Sequence, residues 1–243
     1  MKKKFVILVL IGITFSYSLK AQQYNDTLKN DILTPNGNPV VTWAMEEDTW
    51  DVREGFDNLY TRAYPNAKPI ITYDNLSSTR RFNCHGYAWL REEGGPDRWI
   101  GRDFTEVGLY PDIYMSDNSY IEVSSGTHPA KVFWERPKDH SAITTSHPDT
   151  VISKWNKWPL MKHYWSDNPF GSGNLKYYIR CPTPVVNFTN QIVTTNTTIT
   201  SCGDINVQNV KVTNGAKLIL DAAGEVNIIS DFDVDLGSEF EIR

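Results

Sequence analysis

Two short words in this chain hold residues that together can do acyl chemistry: Asn83-Cys84-His85-Gly86-Tyr87-Ala88-Trp89 and Asp139-His140-Ser141-Ala142-Ile143. A thiolate is a strong nucleophile. Helix-start N–H groups favour it and can hold the oxyanion formed when it attacks an acyl carbon. An imidazole must take the thiol proton and later return one to the leaving group. Asn83 is a good N-cap, so a helix is predicted to begin at Cys84 and to be stopped by Gly94-Gly95-Pro96. His85 is a poor base for its own neighbour, because adjacent helix positions point to different sides. It reads as a helix-surface or supporting residue, and His140 as the base.

The elements that must bring the two words together follow from the local pattern. Residues 132–135 and 141–144 read as strands joined by Arg136-Pro137-Lys138-Asp139, and residues 150–155 as the next strand after His147-Pro148-Asp149. That is an antiparallel meander with His140 at the mouth end of one strand. Upstream, residues 48–63 are predicted helical, with Trp50, Val52, Phe56, Leu59 and Tyr60 near helical spacing and read as core. Residues 69–73 read as a short strand or extended approach, and residues 74–82 as a polar loop delivering the chain to Cys84. Tyr73, Tyr87, Trp89, Trp155 and Trp158 could wall a groove or fill a core, since aromatics do both.

Composition sets the wider frame. Lys2, Lys3 and Lys4 precede an apolar run over residues 5–15, and Lys20-Ala21-Gln22 offers a small residue for cleavage, the pattern of a signal peptide over residues 1–21. The apolar run is short for a membrane span. The expectation is a secreted, periplasmic or cell-surface protein with no stable membrane insertion after signal removal. Removing four lysines leaves 20 Lys+Arg against 29 Asp+Glu, a net −9. That balance argues against nucleic acid as the partner. Cys84, Cys181 and Cys202 are the three cysteines; in an oxidising compartment a Cys181–Cys202 bridge would leave Cys84 as the reactive candidate. No His/Cys/carboxylate cluster has convincing ligand spacing, so neither metal nor organic cofactor is expected.

The chain changes character at Pro182-Thr183-Pro184, dividing into residues 22–182 and 183–243. Downstream, apolar and polar residues alternate without a helical stretch. Residues 210–220 match residues 232–242 at an offset of 22, each copy reading apolar-x-apolar-x-x-Gly-small-x-apolar-x-apolar. Repeats of this length suit stacked β coils that share a core, so a short β stack or small sandwich is predicted. Asp231, Asp233, Asp235, Glu239 and Glu241 alternate with apolar residues and read as a solvated strand face.

These words carry two resemblances. Asn-Cys-His-Gly-Tyr-Ala-Trp at residues 83–89, Asp-His-Ser-Ala-Ile at 139–143, Val-Ile-Ser-Lys-Trp at 151–155 and the later His163 resemble the papain-like NlpC and CHAP group of bacterial cysteine amidases and endopeptidases. The resemblance spans residues 73–178. It implies an α+β fold with a Cys-bearing helix on an antiparallel sheet, cleavage of peptide or amide bonds, often in cell-wall peptides, Cys84 as nucleophile and His140 as general base. For the residue that orients the imidazole it offers His163 first and Ser153 second. The chain departs from the group where Pro129-Ala130-Lys131 replaces a common Gly-Asp. Residues 196–243 resemble the coathanger-stack β modules of exported Bacteroidetes-type proteins, which implies an all-β repeat module contacting the cell surface or another protein. A binder on the same fold, recognising peptide or glycan through an aromatic cleft, and a structural surface protein are the alternatives.

Overall fold

The computed structural model describes residues 24–101, 111–135, 140–171 and 173–243. The signal-peptide segment and the connection over residues 136–139 lie outside the described residues. The protein is mostly β, with 44% strand and 14% helix, so the expected balance of an α+β fold is met only in part. The helical share is small because the long aromatic-rich segments around the site are connections rather than helices.

A first small sheet joins β1 (Thr27–Leu33), β2 (Pro39–Ala44) and β4 (Trp99–Ile100). Between β2 and β4 come helix α1 (Trp50–Ala63), β3 (Lys68–Pro69), helix α2 (Cys84–Trp89) and a 3-10 turn (Arg91–Glu93). After β4 follow α3 (Asp112–Ser116), β5 (Tyr120–Val123), β6 (Lys131–Trp134), β7 (His140–Thr144), β8 (Thr150–Lys154), β9 (Leu160–Tyr164) and β10 (Leu175–Arg180). They build a seven-stranded sheet in the order β3-β9-β8-β7-β6-β10-β5. Its pairs are all antiparallel, so the predicted meander β6–β7–β8 is formed.

Strand alternation gives this sheet two distinct faces. Phe133 pairs with Ser141, and Lys131 with Ile143. This face is covered by α2, whose Ala88 and Trp89 share a core with Phe133, while Tyr87 and Phe82 pack with Leu160, Ile143 and Ile152. The other face carries Val132, Trp134, Ala142 and Val151, with Trp155 and Met161 packed beside Tyr60 of α1 and Tyr64 just after it.

The helix over residues 48–63 starts at Trp50, but its buried position is not the expected aromatic one. Trp50, Val52 and Leu59 are exposed, whereas Arg53 is buried. The predicted strand over residues 69–73 is reduced to Lys68–Pro69. The stretch read as a polar loop is buried from Leu76 to Arg80.

The second unit comprises β11 (Val185–Val193), β12 (Thr197–Ser201), β13 (Asp204–Val212), β14 (Lys217–Ala222), β15 (Val226–Val234) and β16 (Glu239–Ile242). Strands β11-β13-β15 form one parallel sheet and β12-β14-β16 another. The register pairs Val210 with Phe232, Val212 with Val234, Leu218 with Phe240 and Leu220 with Ile242, which is the 22-residue offset of the sequence repeat. Each coil therefore lays its apolar positions on the next, around a core of Ile205, Val207, Val210, Val212, Leu218 and Leu220. The corner after β13 is turned at Asn214 and Gly215, both at positive φ. The acidic alternation faces lysines as well as solvent: Lys211 contacts Asp233 and Asp235, and Lys217 contacts Glu239 and Glu241. A disulfide joins Cys181, after β10, to Cys202, between β12 and β13.

Candidate functional site

Cys84 is the first residue of α2 and is 7% exposed. The helix is too short to carry much macrodipole, so the local cap matters more. Asn83 Oδ1 accepts from Gly86 N at 2.8 Å, and Asn83 Nδ2 donates to the carbonyls of Ile100 and Gly101. One side chain thus starts the helix and fastens it to the end of β4. Gly86 allows this approach: a Cβ there would lie 1.8 Å from the Arg98 carbonyl oxygen.

The segment ahead of Cys84 is held by charges reaching in from α1 and its approach. Asp57 accepts from the backbone N–H groups of Ser77 and Ser78. Glu47 accepts from Thr79 Oγ1 and Arg80 N. Arg53 donates to the carbonyls of Ser78 and Tyr73 and to Asp74. Buried backbone groups must find partners, and here carboxylates and a guanidinium supply them. What reads as a solvent loop in sequence is a rigid strap that fixes the start of α2.

Of the two readings of His85, helix-surface or supporting residue, the surface one is excluded. It is 3% exposed, and its Nδ1 lies 2.8 Å from Ser141 Oγ, which also accepts from Trp89 Nε1. Every residue of α2 is buried, which leaves no solvent side at this position. Burial lowers the His85 pKa to about 3, so the ring is neutral.

His140 opens β7, as predicted, and is fully buried. Its cross-strand partner is Trp134, and its ring stacks on Phe170 with centroids 3.8 Å apart. These contacts belong to the sheet face opposite the one covered by α2. Among the described residues both ring nitrogens lack a hydrogen-bond partner, so no hydrogen bond joins His140 to Cys84. Burial, then the nearby His163 and His85, hold its pKa well below the ordinary value.

Ser153 and His163 come together, but with each other. His163 Nδ1 donates to the Tyr164 carbonyl at 2.7 Å, which leaves Nε2 to accept from Ser153 Oγ at 2.7 Å. Trp155 Nε1 donates in turn to Ser153 Oγ. This relay is closed, and neither residue orients His140 by a hydrogen bond. Burial lowers the His163 pKa to about 4 against the opposing Tyr164 carbonyl and Asp167.

Two residues near the thiol escaped the sequence reading. Ser141 joins β7 to α2, as above. Lys154 ends β8 and is fully buried; cross-strand pairing with Leu160 puts it on the α2 face. Its Nζ donates to the carbonyls of Asn156 and Trp158, and it lies 5.6 Å from the Phe82 ring centroid. Burial lowers its pKa to about 7, with Glu47, Cys84 and Asp57 pulling it back up and Arg53 adding to the fall. Strict alternation across Ile152-Ser153-Lys154 was the available signal, since it puts Lys154 on the same face as Ile152.

Tyr87, Trp89 and Trp155 are core residues rather than groove walls. Among the described residues no group of His, Cys, Asp and Glu could hold a metal ion, and no helix is long and apolar enough to cross a membrane. Compared with known proteins, the chain matches no protein-family model, no curated protein and no solved structure.

Proposed function

We propose that this chain is a cysteine hydrolase that cleaves peptide or amide bonds through an acyl-enzyme on Cys84. The observation that carries the reading is the capped helix start: Cys84 outside any disulfide, at the first position of α2, packed on an antiparallel sheet whose strand β7 begins with His140. The thiolate would attack the acyl carbon, the C–N bond would break with a proton delivered to the leaving amine, and water would release the acid. A papain-like NlpC or CHAP-type domain, an exported setting, a cell-wall peptide substrate and a coathanger-type β module that contacts a surface all belong to this proposal.

One observation favours a second reading, a non-catalytic binder on the same scaffold: His140 is stacked on Phe170 and makes no hydrogen bond to the thiol. Incubation with peptidoglycan fragments and peptide libraries separates the two. Hydrolysis by the wild type that is lost in Cys84→Ala, with iodoacetamide labelling at Cys84, supports the enzyme. Hydrolysis that survives the substitution, or binding without turnover and without labelling, sinks it.

A further inference from the structure

We propose that the cleft beside the 3-10 turn after α2 binds an organic carboxylate carried on an apolar body, with Arg180 as the group that recognises the charge. The turn follows the end of α2, whereas Cys84 begins that helix. The test needs no turnover, so this site stands or falls apart from the hydrolase reading.

Strand register builds the floor of the cleft. Lys131 of β6 pairs with Ile143 of β7 on one side and with Tyr178 of β10 on the other. Arg180, two residues beyond Tyr178, pairs with Tyr120 of β5. Alternation puts all five on the face of the sheet that α2 covers. There they line a cleft of about 510 Å³. Glu92 and Glu93 of the 3-10 turn form one wall, and residues 128–130 form another. The second wall is fastened to β7. Thr144 Oγ1 accepts from Ala130 N at 2.8 Å and lies 3.1 Å from His128 Nδ1, while Thr144 N donates to the Ala130 carbonyl at 2.9 Å. A cleft that is already formed, with an apolar base and a few charged groups, suits a small molecule or the end of a peptide.

The pairing of charges selects the ligand. Among the described residues Lys131, Lys176 and Arg180 are the cations on this face of β6 and β10. Lys131 is 8% exposed and meets Glu93 at 2.5 Å. Lys176 meets Glu122 at 3.4 Å and Glu135 at 3.0 Å. Arg180 is exposed at the cleft, and among the described residues no carboxylate stands within ion-pair distance of it and its guanidinium donates no hydrogen bond. Its planar fork matches the two oxygens of a carboxylate. Tyr178 and Ile143 on the same floor offer apolar surface to the rest of the ligand. Walls that exclude part of the competing water strengthen such a pair beyond what an open surface gives. Glu92 adds negative charge to the wall, which disfavours a second anionic group on the ligand.

The test is isothermal titration calorimetry on the full chain with phenylacetate, N-acetylphenylalanine and the neutral phenylacetamide. The two acids should bind at least about tenfold more tightly than the amide. Arg180→Gln should bring the acids down to the level of the amide, a loss of about tenfold, and leave the amide unchanged. Tighter binding of N-acetylphenylalanine than of phenylacetate assigns the carboxylate to a peptide end, and the reverse order to a small organic acid. Equal binding of acids and amide, acid binding untouched by Arg180→Gln, or no binding of any of the three up to about 10 mM overturns the proposal. The comparison of acid with amide in the wild type needs no variant. Should Arg180→Gln fail to fold, Arg180→Lys, which keeps the charge and loses the fork, should weaken both acids, and unchanged acid binding there overturns the proposal.

Discussion

Acid should open the first unit while leaving the β stack folded. His85, His140 and His163 are 3%, 0% and 2% exposed, and all three are held neutral by burial. Their folded pKa values lie below the unfolded value, so the stability they contribute is complete above about pH 6.5 and is lost as pH falls. For His163 the loss continues to about pH 4 and for His85 to about pH 3. At pH 5, about 1.5 units under the unfolded pKa, each neutral imidazole costs about 2 kcal/mol relative to pH 7.5, so the three together cost about 6 kcal/mol. A typical domain has only about 5–15 kcal/mol in total. All eight tryptophans lie between residues 43 and 165, and residues 183–243 contain neither Trp nor His, so tryptophan fluorescence reports the histidine-bearing unit alone. Urea melts followed by that signal between pH 6.5 and 5 should show stability falling by up to about 4 kcal/mol per pH unit as three protons are taken up on unfolding. The window stays above the range where unfolded carboxylates begin to dominate. His163→Gln should reduce the slope by about a third. A slope of one proton or less in the wild type would refute the burial argument, because it would mean that at least two of these rings protonate within the folded protein.

Two further substitutions test the frame of the site. Gly86→Ala should cost about 3 kcal/mol or more by tryptophan-detected urea melts, since its methyl would collide with the Arg98 carbonyl; a loss under about 1 kcal/mol would mean that α2 can lift from β4 freely. Reducing the Cys181–Cys202 bridge, whose cysteines are 21 residues apart, should lower stability by about 3 kcal/mol through restored freedom of the unfolded chain. Comparing Cys181→Ala/Cys202→Ala with the wild type by thermal melts checks this, and an unchanged melting profile would refute it.

Much of this protein was legible because local rules and tertiary packing agree. Asn83 caps the helix it was expected to cap, and the strands around Val132, Ser141 and Ile152 form the expected meander. The 22-residue repeat became the stacking register itself, since each coil can bury its apolar face only on an equivalent neighbour. What sequence periodicity could not give was the direction of side chains at the ends and connections of elements. The helix over Trp50–Ala63 exposes Trp50 and Leu59 and buries Arg53, because the strap ahead of Cys84 needs donors more than the sheet needs another aromatic. For His85 the surface and supporting readings stayed open because helical angle alone cannot say that β7 lies against that side. Ser153 and His163 were read as candidates to orient the His140 imidazole, but they satisfy each other instead.

The amino-acid sequence by itself determined which residues have the chemistry: a thiol behind a capping asparagine, a histidine opening a strand, and a repeat that alternates with period two. Only the tertiary structure decided which of them meet. Strand parity sends His140 toward Phe170 and leaves Ser141 and Lys154 beneath the helix that carries Cys84, since a shift of one residue along a strand exchanges one face for the other.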